Sequence, residues 1–410
     1  MNDNSRRPVR VGFFIDGAES YGVLEYTRLL LANLDRCKTT PVGLFVGPGR
    51  GLDVLAPLCA ETAVLIGECL LPLSDATKSR WDPGVLSHKL LTAAACVPRL
   101  AAAIRRLRVD VVDVNYYPHH ILAGLACRLT RRPCIWHWHG PYAKEGISAS
   151  FAEWTMRNLA SAIPCLSNFV RSSLPRSVQS RSSVIYNGVD TCRIQQLQEH
   201  GALRRILGIA SGQQLVAIFG AISPRKGHEY LIRAAAQLVQ VLPRTLFAII
   251  GHETEQIRAR VGLTAKLKRL VSEVGLERNV LVHDYLPDAW RYMSDCDVIC
   301  MPTVPIGKDN GEGFGLVMAE AMAAGVPVVA TSCGAPPEVI EHGRSGLLVP
   351  PADADSLAAA ILGLLRDRGL RNRIAVAGQD RIRHHFDIRY TVAGMQQLYE
   401  SLTTRTWEAG

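Results

Sequence analysis

The residues best suited to chemistry lie together in one stretch, DNGEGFGLVMAEAMAAGVP, from Asp309 to Pro327. Glycines at 311, 313 and 315 permit close backbone approach, and Leu316 to Ala324 is built of strong helix formers. A glycine-rich turn feeding a helix N-terminus presents unpaired N–H groups and the positive end of a dipole, which suits a phosphate. Glu312 precedes this helix and Glu320 lies inside it, so two carboxylates are available to different parts of one ligand. A hydrolytic acid/base pair is the rival reading. Eight residues at about 1.5 Å each separate the two glutamates by up to about 12 Å if fully helical, whereas hydrolytic pairs sit at roughly 5 to 9.5 Å. Hydrolysis is therefore disfavoured.

Other candidates weigh less. Asp295-Cys296-Asp297 has the form of a metal-binding Asp-x-Asp, but it precedes the apolar run VICMP and reads as a helix-end turn, so no metal is expected there. GPGRG at 47–51 follows a strand without completing a dinucleotide fingerprint, and reads as a turn. Tyr116, Tyr117, His119 and His120 follow DVVDV and are expected on a loop, either shaping an acceptor pocket or packed. His137, His384 and His385 read as structural or surface residues, and Glu338 as a helix cap or a peripheral neighbour of the ligand. Arg105, Arg106 and Arg108 end an apolar helix, where cations complement the dipole. Were they an interface instead, Leu86 to Ile104 would dock on anionic lipid.

The elements that must position these residues follow from periodicity. Val9 to Asp16 is a strand-like apolar run, followed by a turn bearing Gly17 and Gly22 and a helical pattern from Leu24 to Leu34. Similar runs recur at 41–46, 109–114, 133–138, 162–166 and 184–186. A second series begins near Leu215 (LVAIFG) and continues through 245–251, 280–283, 298–301, 326–331 and 346–349. Continuous apolar strands alternating with helices predict α/β domains with parallel sheets covered on both faces. Ligands of such sheets bind at the carboxyl ends of the strands, here in a cleft between two Rossmann-like domains.

Composition bounds the alternatives. The 410 residues, 48% hydrophobic and 20% charged, are ordinary for a globular chain and predict two or three domains. Disorder, collagen-like repeats and coiled coils are excluded. The longest apolar stretch, Leu90 to Ile104, is interrupted by Pro98 and Arg99, so no spanning helix is expected. The N-terminus lacks the apolar core of a secretion signal, which predicts a cytoplasmic location. Eleven cysteines with no two-residue spacing read as small buried hydrophobes. Through Asp190 there are 22 basic against 15 acidic residues, and beyond it 24 against 22. The first half is thus the basic half. Without a basic stripe interleaved with aromatics, nucleic acid is not an expected partner, and a phosphorylated acceptor or peripheral membrane contact through the basic N-terminal domain is the better reading.

EGFGLVMAEAMAAGVPVVAT resembles, in its E-x7-E spacing, the signature of retaining, nucleotide-sugar-dependent glycosyltransferases of the GT-B fold, family 4 (glycosyl transferases group 1). The resemblance extends in order through WHWHG (136–140), VIYNGVD (184–190), ISPRKGHEYL (222–231), IIGHE (249–253), CDVICMPT (296–303) and GRSGLLVPPAD (343–353). It implies that Glu320 binds the ribose and Glu312 the donor sugar, with the backbone of Phe314, Gly315 and Leu316 against sugar and diphosphate. It further implies that Lys226 neutralises the diphosphate, that His139 faces the sugar near the reacting carbon, and that Gly17 to Gly22 closes over phosphates or acceptor. One departure stands out: where the family usually has an arginine after the glycine ending the strand before the lysine, Gly220 is followed by Ala221, and Arg225 is the available substitute. The opening loop also separates Gly17 from Gly22 instead of pairing its glycines.

The resemblance implies an N-terminal Rossmann-like acceptor-binding domain (1–195), a nucleotide-sugar-binding domain (196–385) and a C-terminal helix (386–410) returning to the first. The expected reaction is metal-independent, retaining transfer of a hexose from a UDP- or GDP-linked donor to a hydroxyl of a glycan, a lipid-linked saccharide or a small natural product. No cofactor beyond the donor is expected. A nucleotide-sugar-binding protein without transferase activity and a sugar-nucleotide epimerase of the same build are the alternatives.

Overall fold

The computed structural model describes residues 7–15, 21–65, 83–115, 117–142, 146–210, 212–253, 258, 261–307 and 311–407. The chain divides into two compact units, Met1–Asn187 with Ile388–Gly410, and Gly188–Asp387.

In the first unit, β1 (Val9–Ile15), β2 (Thr39–Phe45), β3 (Glu61–Val64), β4 (Val111–Val114) and β5 (Cys134–Trp136) form one parallel sheet in the order β3-β2-β1-β4-β5. β6 (Ile163–Cys165) and β7 (Ser182–Val184) form a parallel pair that continues the sheet through the bridges Ile135↔Ala162 and Trp138↔Cys165. On one face α1 (Tyr21–Asn33) and the C-terminal helix Ile388–Trp407 bury Leu30, Leu31, Met395 and Tyr399 against Val11 and Phe13. The crossovers to β4, β5 and β6 run through α2 (Pro83–Arg106), α3 (Tyr117–Thr130) and α4 (Gly146–Leu159).

The second unit repeats the plan. β8 (Leu215–Phe219), β9 (Leu246–Ile250), β10 (Val280–His283), β11 (Val298–Met301), β12 (Val328–Thr331) and β13 (Leu347–Val349) are parallel in the order β10-β9-β8-β11-β12-β13. Every residue of β8, β9, β11 and β12 is buried, the pattern of strands covered on both faces. α5 (His228–Val241) packs Leu231, Ile232, Ala235 and Leu238 onto this sheet, and α6 (Leu316–Ala323) is buried over nearly its whole length. Each unit is thus a Rossmann-like parallel α/β domain, the fold class expected from the sequence.

Several details differ from the sequence reading. β3 carries no apolar run because it is an edge strand with three of its four residues exposed. α2 continues through Pro98, whose ring is exposed to solvent, and Leu100 and Ile104 after it are buried. That burial offsets the roughly 3 kcal/mol that a mid-helix proline costs. Residues 188–195, assigned above to the first domain, lie with the second unit. There Asp190 caps the Thr191–Gln196 helix, which packs on α6. Cys37 and Cys192 are exposed, unlike the buried cysteines of the strands, because one sits in a turn and the other opens a helix. Among the described residues no helix is long and apolar enough to cross a membrane.

Candidate active site

The strand order of the second unit reverses between β8 and β11, the point where an open α/β sheet leaves a crevice at its carboxyl edge. The loops leaving β8, β11 and β12 are tied together there. Gly227 has φ +65°, and a Cβ on it would lie 1.9 Å from the Pro302 carbonyl oxygen, so only glycine lets the β8 loop approach the β11 loop. Val304 N–H donates to Arg225 O at 2.8 Å. Glu312 bridges to Gly334, with Glu312 N–H donating to Cys333 O and Ala335 N–H to Glu312 O, both at 2.9 Å. A Cβ on Gly334 (φ +97°) would lie 2.3 Å from Glu312 O.

These ties fix a charged cluster. Lys226 Nζ donates to Glu312 Oε2 at 2.6 Å, Arg225 Nη1 lies 3.6 Å from the same oxygen, and Arg225 Nη1 donates to Gly311 O at 3.3 Å. The Glu312 side chain is only 12% exposed. Burial pushes its carboxyl up, but the Lys226 ammonium, the Arg225 guanidinium and the Gly313 N–H outweigh this and hold its pKa below the ordinary value. Glu312 is therefore an anion at neutral pH, unlike the protonated acid of a hydrolytic pair.

Gly315 caps α6 in the left-handed conformation, and the first helical bond runs from Met318 N–H to Gly315 O. The N–H groups of Leu316 and Val317 thus precede the helical ladder and carry the positive end of its dipole. Phe314 is buried against Phe386 at 5.7 Å between ring centroids, which anchors the turn before the helix. Glu320, one turn into α6, is buried.

The first unit has its own reversal, between β1 and β4. Asn115 directly follows β4, and His139 lies just beyond β5. His139 Nε2 and Asn115 Oδ1 are 2.9 Å apart, and since an amide oxygen only accepts, Nε2 carries the proton. His139 stacks on His137 at 4.5 Å and meets the Tyr26 ring at 5.0 Å, while the Tyr26 hydroxyl bonds His137 Nδ1 at 3.1 Å. Burial pushes the His139 imidazole down to about 3, so it is neutral at physiological pH and its Nδ1 holds a lone pair.

Residues 200–381 match the profile described as glycosyl transferases group 1, and residues 67–193 that of glycosyltransferase family 4. A phosphatidyl-myo-inositol mannosyltransferase of Mycolicibacterium smegmatis is 33% identical over 304 residues, covering 72% of each chain. The chain belongs to the family 4 glycosyltransferases. This glycosyltransferase is also similar to the GDP-mannose-dependent alpha-(1-6)-phosphatidylinositol monomannoside mannosyltransferase of the same organism, at 29% identity over 69% of this chain and 75% of the other. Among solved structures it resembles Anabaena Alr3699/HepE in complex with UDP (TM-score 0.77, 22% identity, 97% and 100% of the two chains). Sucrose-phosphate synthase of Thermosynechococcus elongatus is similar in the same way (TM-score 0.73, 21% identity, 97% and 100%).

Of the residues singled out in the sequence of this glycosyltransferase, Arg225, Lys226 and Glu312 form one cluster, and Phe314, Gly315, Leu316 and Glu320 lie along the adjoining turn and helix. Ala221 is exposed beyond β8, and Arg225 reaches Glu312 from further along the same loop. Gly17 falls outside the described residues, as does Tyr116. Gly22 is not in a turn but in the first turn of α1, since the helix begins at Tyr21. His119 and His120 are in α3 and buried: His120 stacks on Trp136 at 5.0 Å and bonds Val114 O at 3.0 Å, and His119 meets Phe14 edge-on. They are core residues, not an acceptor pocket. Both carboxylates of the Asp295-Cys296-Asp297 turn are occupied, Asp295 by the N–H groups of Gly201 and Leu203 and Asp297 by Leu215 N–H, Arg204 and Arg371. Sequence reasoning missed Asn115 and Gly334, whose signal was their position within a few residues of a strand's carboxyl end.

Proposed function

We propose that this glycosyltransferase transfers a hexose, mannose in the first instance, from a nucleoside diphosphate sugar to an acceptor hydroxyl on a lipid-linked or glycan substrate, with retention of configuration. The observation that carries the reading is the convergence of Lys226 and Arg225 on Glu312 beside the N-terminus of α6. Two similar proteins named as phosphatidylinositol-type mannosyltransferases support the choice of sugar and acceptor class.

In this reading Glu320 binds the ribose, Glu312 accepts from hydroxyls of the donor sugar, and the backbone of Phe314, Gly315 and Leu316 lines the sugar and diphosphate. Negative charge grows on the diphosphate as its bond to the sugar breaks. Lys226, Arg225 and the α6 terminus are preorganised to meet that charge, so the protein itself supplies the neutralisation that a divalent ion would provide elsewhere. The neutral His139 accepts a sugar hydroxyl at Nδ1 while Asn115 holds its Nε2–H. Attack occurs on the face the diphosphate leaves, and the departing phosphate takes the acceptor proton, so no protein nucleophile is assigned.

The test is a product assay with GDP-mannose, UDP-glucose and related donors against phosphatidylinositol and oligosaccharide acceptors, in the presence of EDTA. The expected result is a glycosylated acceptor with the donor's anomeric configuration. Inversion at the anomeric carbon would overturn retention, and donor binding without turnover on any acceptor would leave a binding protein. Conversion of the donor with no acceptor present would favour an epimerase.

A further inference from the structure

The outer face of α3 and α4 carries apolar side chains that no other described residue of the first unit covers. Leu125 is 41% exposed, Leu129 59%, Phe151 54% and Trp154 58%. The helices lie close, since a Cβ on Gly124 would sit 2.7 Å from Leu159 Cβ, and Arg128 reaches across to donate to Asn158 O at 3.0 Å. Phe151 and Trp154 stack at 6.4 Å with 19° between ring planes, one helical turn apart on α4. On the helical wheel of α4 the buried Ala152, Thr155 and Met156 face the sheet, which turns Phe151 and Trp154 outward. By contrast, the Leu86 to Ile104 stretch that the sequence offered as a lipid contact buries Cys96, Leu100 and Ile104 in the core.

The charge around this patch is predominantly positive. α2, α3 and α4 contain a single acidic residue, Glu153, and it accepts the Ser177 hydroxyl. Arg99, Arg105, Arg106, Arg128 and Arg157 are all exposed on the same three helices. Arg105 is tied to α3 by donating to Leu129 O at 2.7 Å.

We infer that this face docks peripherally on an anionic lipid bilayer, with Leu125, Leu129, Phe151 and Trp154 entering the interfacial layer and the arginines meeting lipid phosphates. Aromatic and leucine side chains require an apolar phase to enter, which a polyanion such as nucleic acid does not offer, and the arginines require negative charge around that phase. A second copy fits less well, because a symmetric pairing of this face sets arginines against arginines. The inference does not depend on the reading of the donor site.

The experiment is co-sedimentation of the full chain with phosphatidylcholine vesicles, with and without phosphatidylglycerol. Binding is expected to the phosphatidylglycerol vesicles, to weaken with added salt, and to be nearly absent with phosphatidylcholine alone. Phe151→Ser/Trp154→Ser should weaken it by roughly tenfold or more while leaving thermal melting and nucleotide binding unchanged. Arg99→Gln/Arg106→Gln, an independent surface variant, should weaken it by roughly tenfold and flatten the salt dependence. Equal sedimentation with neutral and anionic vesicles, no sedimentation with either, or full binding by both variants would overturn the inference. So would a concentration-dependent dimer in solution that the Phe151/Trp154 variant abolishes, since the face would then belong to a second copy.

Discussion

Lys226 and Glu312, 86 positions apart in sequence, meet through a 2.6 Å bond from Nζ to Oε2 beside the start of α6. The bond leaves two of the three ammonium protons for other acceptors. If the ammonium serves a diphosphate as well as Glu312, Lys226→Ala should lower kcat by about 10² or more, in the range of losing one preorganised donor to developing charge. Steady-state kinetics with a saturating acceptor measures it. A loss of less than threefold would mean that Arg225 and the α6 backbone handle the leaving group alone.

Glu320 tests the nucleotide side of the same site. Glu320→Gln keeps the volume of a buried side chain but halves its capacity to accept hydroxyl protons, so nucleoside diphosphate affinity should fall about tenfold, or 1.4 kcal/mol. Titration calorimetry with UDP and GDP reads it directly, and an unchanged Kd for both would remove Glu320 from the ribose.

Gly334 is asked to hold Glu312 in place. At φ +97°, with the Glu312 carbonyl oxygen 2.3 Å from where a Cβ would go, Gly334→Ala combines backbone strain with a clash against backbone. A cost of about 1–3 kcal/mol is expected, which lowers Tm by roughly 2–4 °C per kcal/mol in a unit of this size. Turnover should drop further than stability, because the displaced loop carries the partner of Lys226. Calorimetry and kinetics on one preparation separate the two effects, and wild-type values in both would show the clamp to be dispensable.

These cases indicate what could be read from sequence. The strands of both sheets announced themselves as apolar runs because they are covered on both faces, and Glu312 and Glu320 because glycines and helix formers frame them. β3 was illegible since its exposed edge needs no apolar residues. His119 and His120 misled because polar side chains usually mark loops, whereas here Trp136, Val114 O and Phe14 accommodate them in the core. Asn115 and Gly334 act through partners from strands distant in sequence. Only the order β1-β4-β5 and the Glu312 bridge bring those partners close.

Three buried histidines and the half-buried His139 predict an acid-sensitive fold. Burial pushes His120 and His139 down to about 3, His228 to about 4, and His137 well below its ordinary value. Unfolded histidines take up protons near 6.5. Stability from these groups is therefore complete above about pH 6.5 and is lost as pH falls from there toward 3–4, by up to about 1.4 kcal/mol per pH unit for each histidine. Melting temperature should be level from pH 7 to 8 and fall steeply below 6. A flat profile down to pH 4.5 would mean that the imidazoles are protonated in the folded state.

Asp113 runs in the opposite direction. It is fully buried on β4, its Oδ2 accepts the Tyr399 hydroxyl of the C-terminal helix at 2.6 Å, and its Oδ1 has no hydrogen-bond partner. Burial raises its carboxyl to about 7, only partly countered by the Tyr399 bond. A carboxyl whose folded pKa lies above its unfolded value near 3.8 penalises the fold fully above pH 7, and the penalty vanishes as pH falls toward 3.8. Asp113→Asn keeps an acceptor for Tyr399 while removing the buried charge. It should raise Tm by several degrees at pH 8, with the gain shrinking below pH 7 and nearly absent only as pH approaches 3.8. Because one carboxyl is set against four histidines, the wild-type chain still loses stability on acidification. Asp113→Ala, which removes the same charge but strands the Tyr399 hydroxyl, should be less stable than Asp113→Asn at every pH. If Asp113→Asn is no more stable than wild type at pH 8, the folded pKa is not raised, and the Tyr399 hydroxyl and its surroundings fully compensate the buried carboxylate.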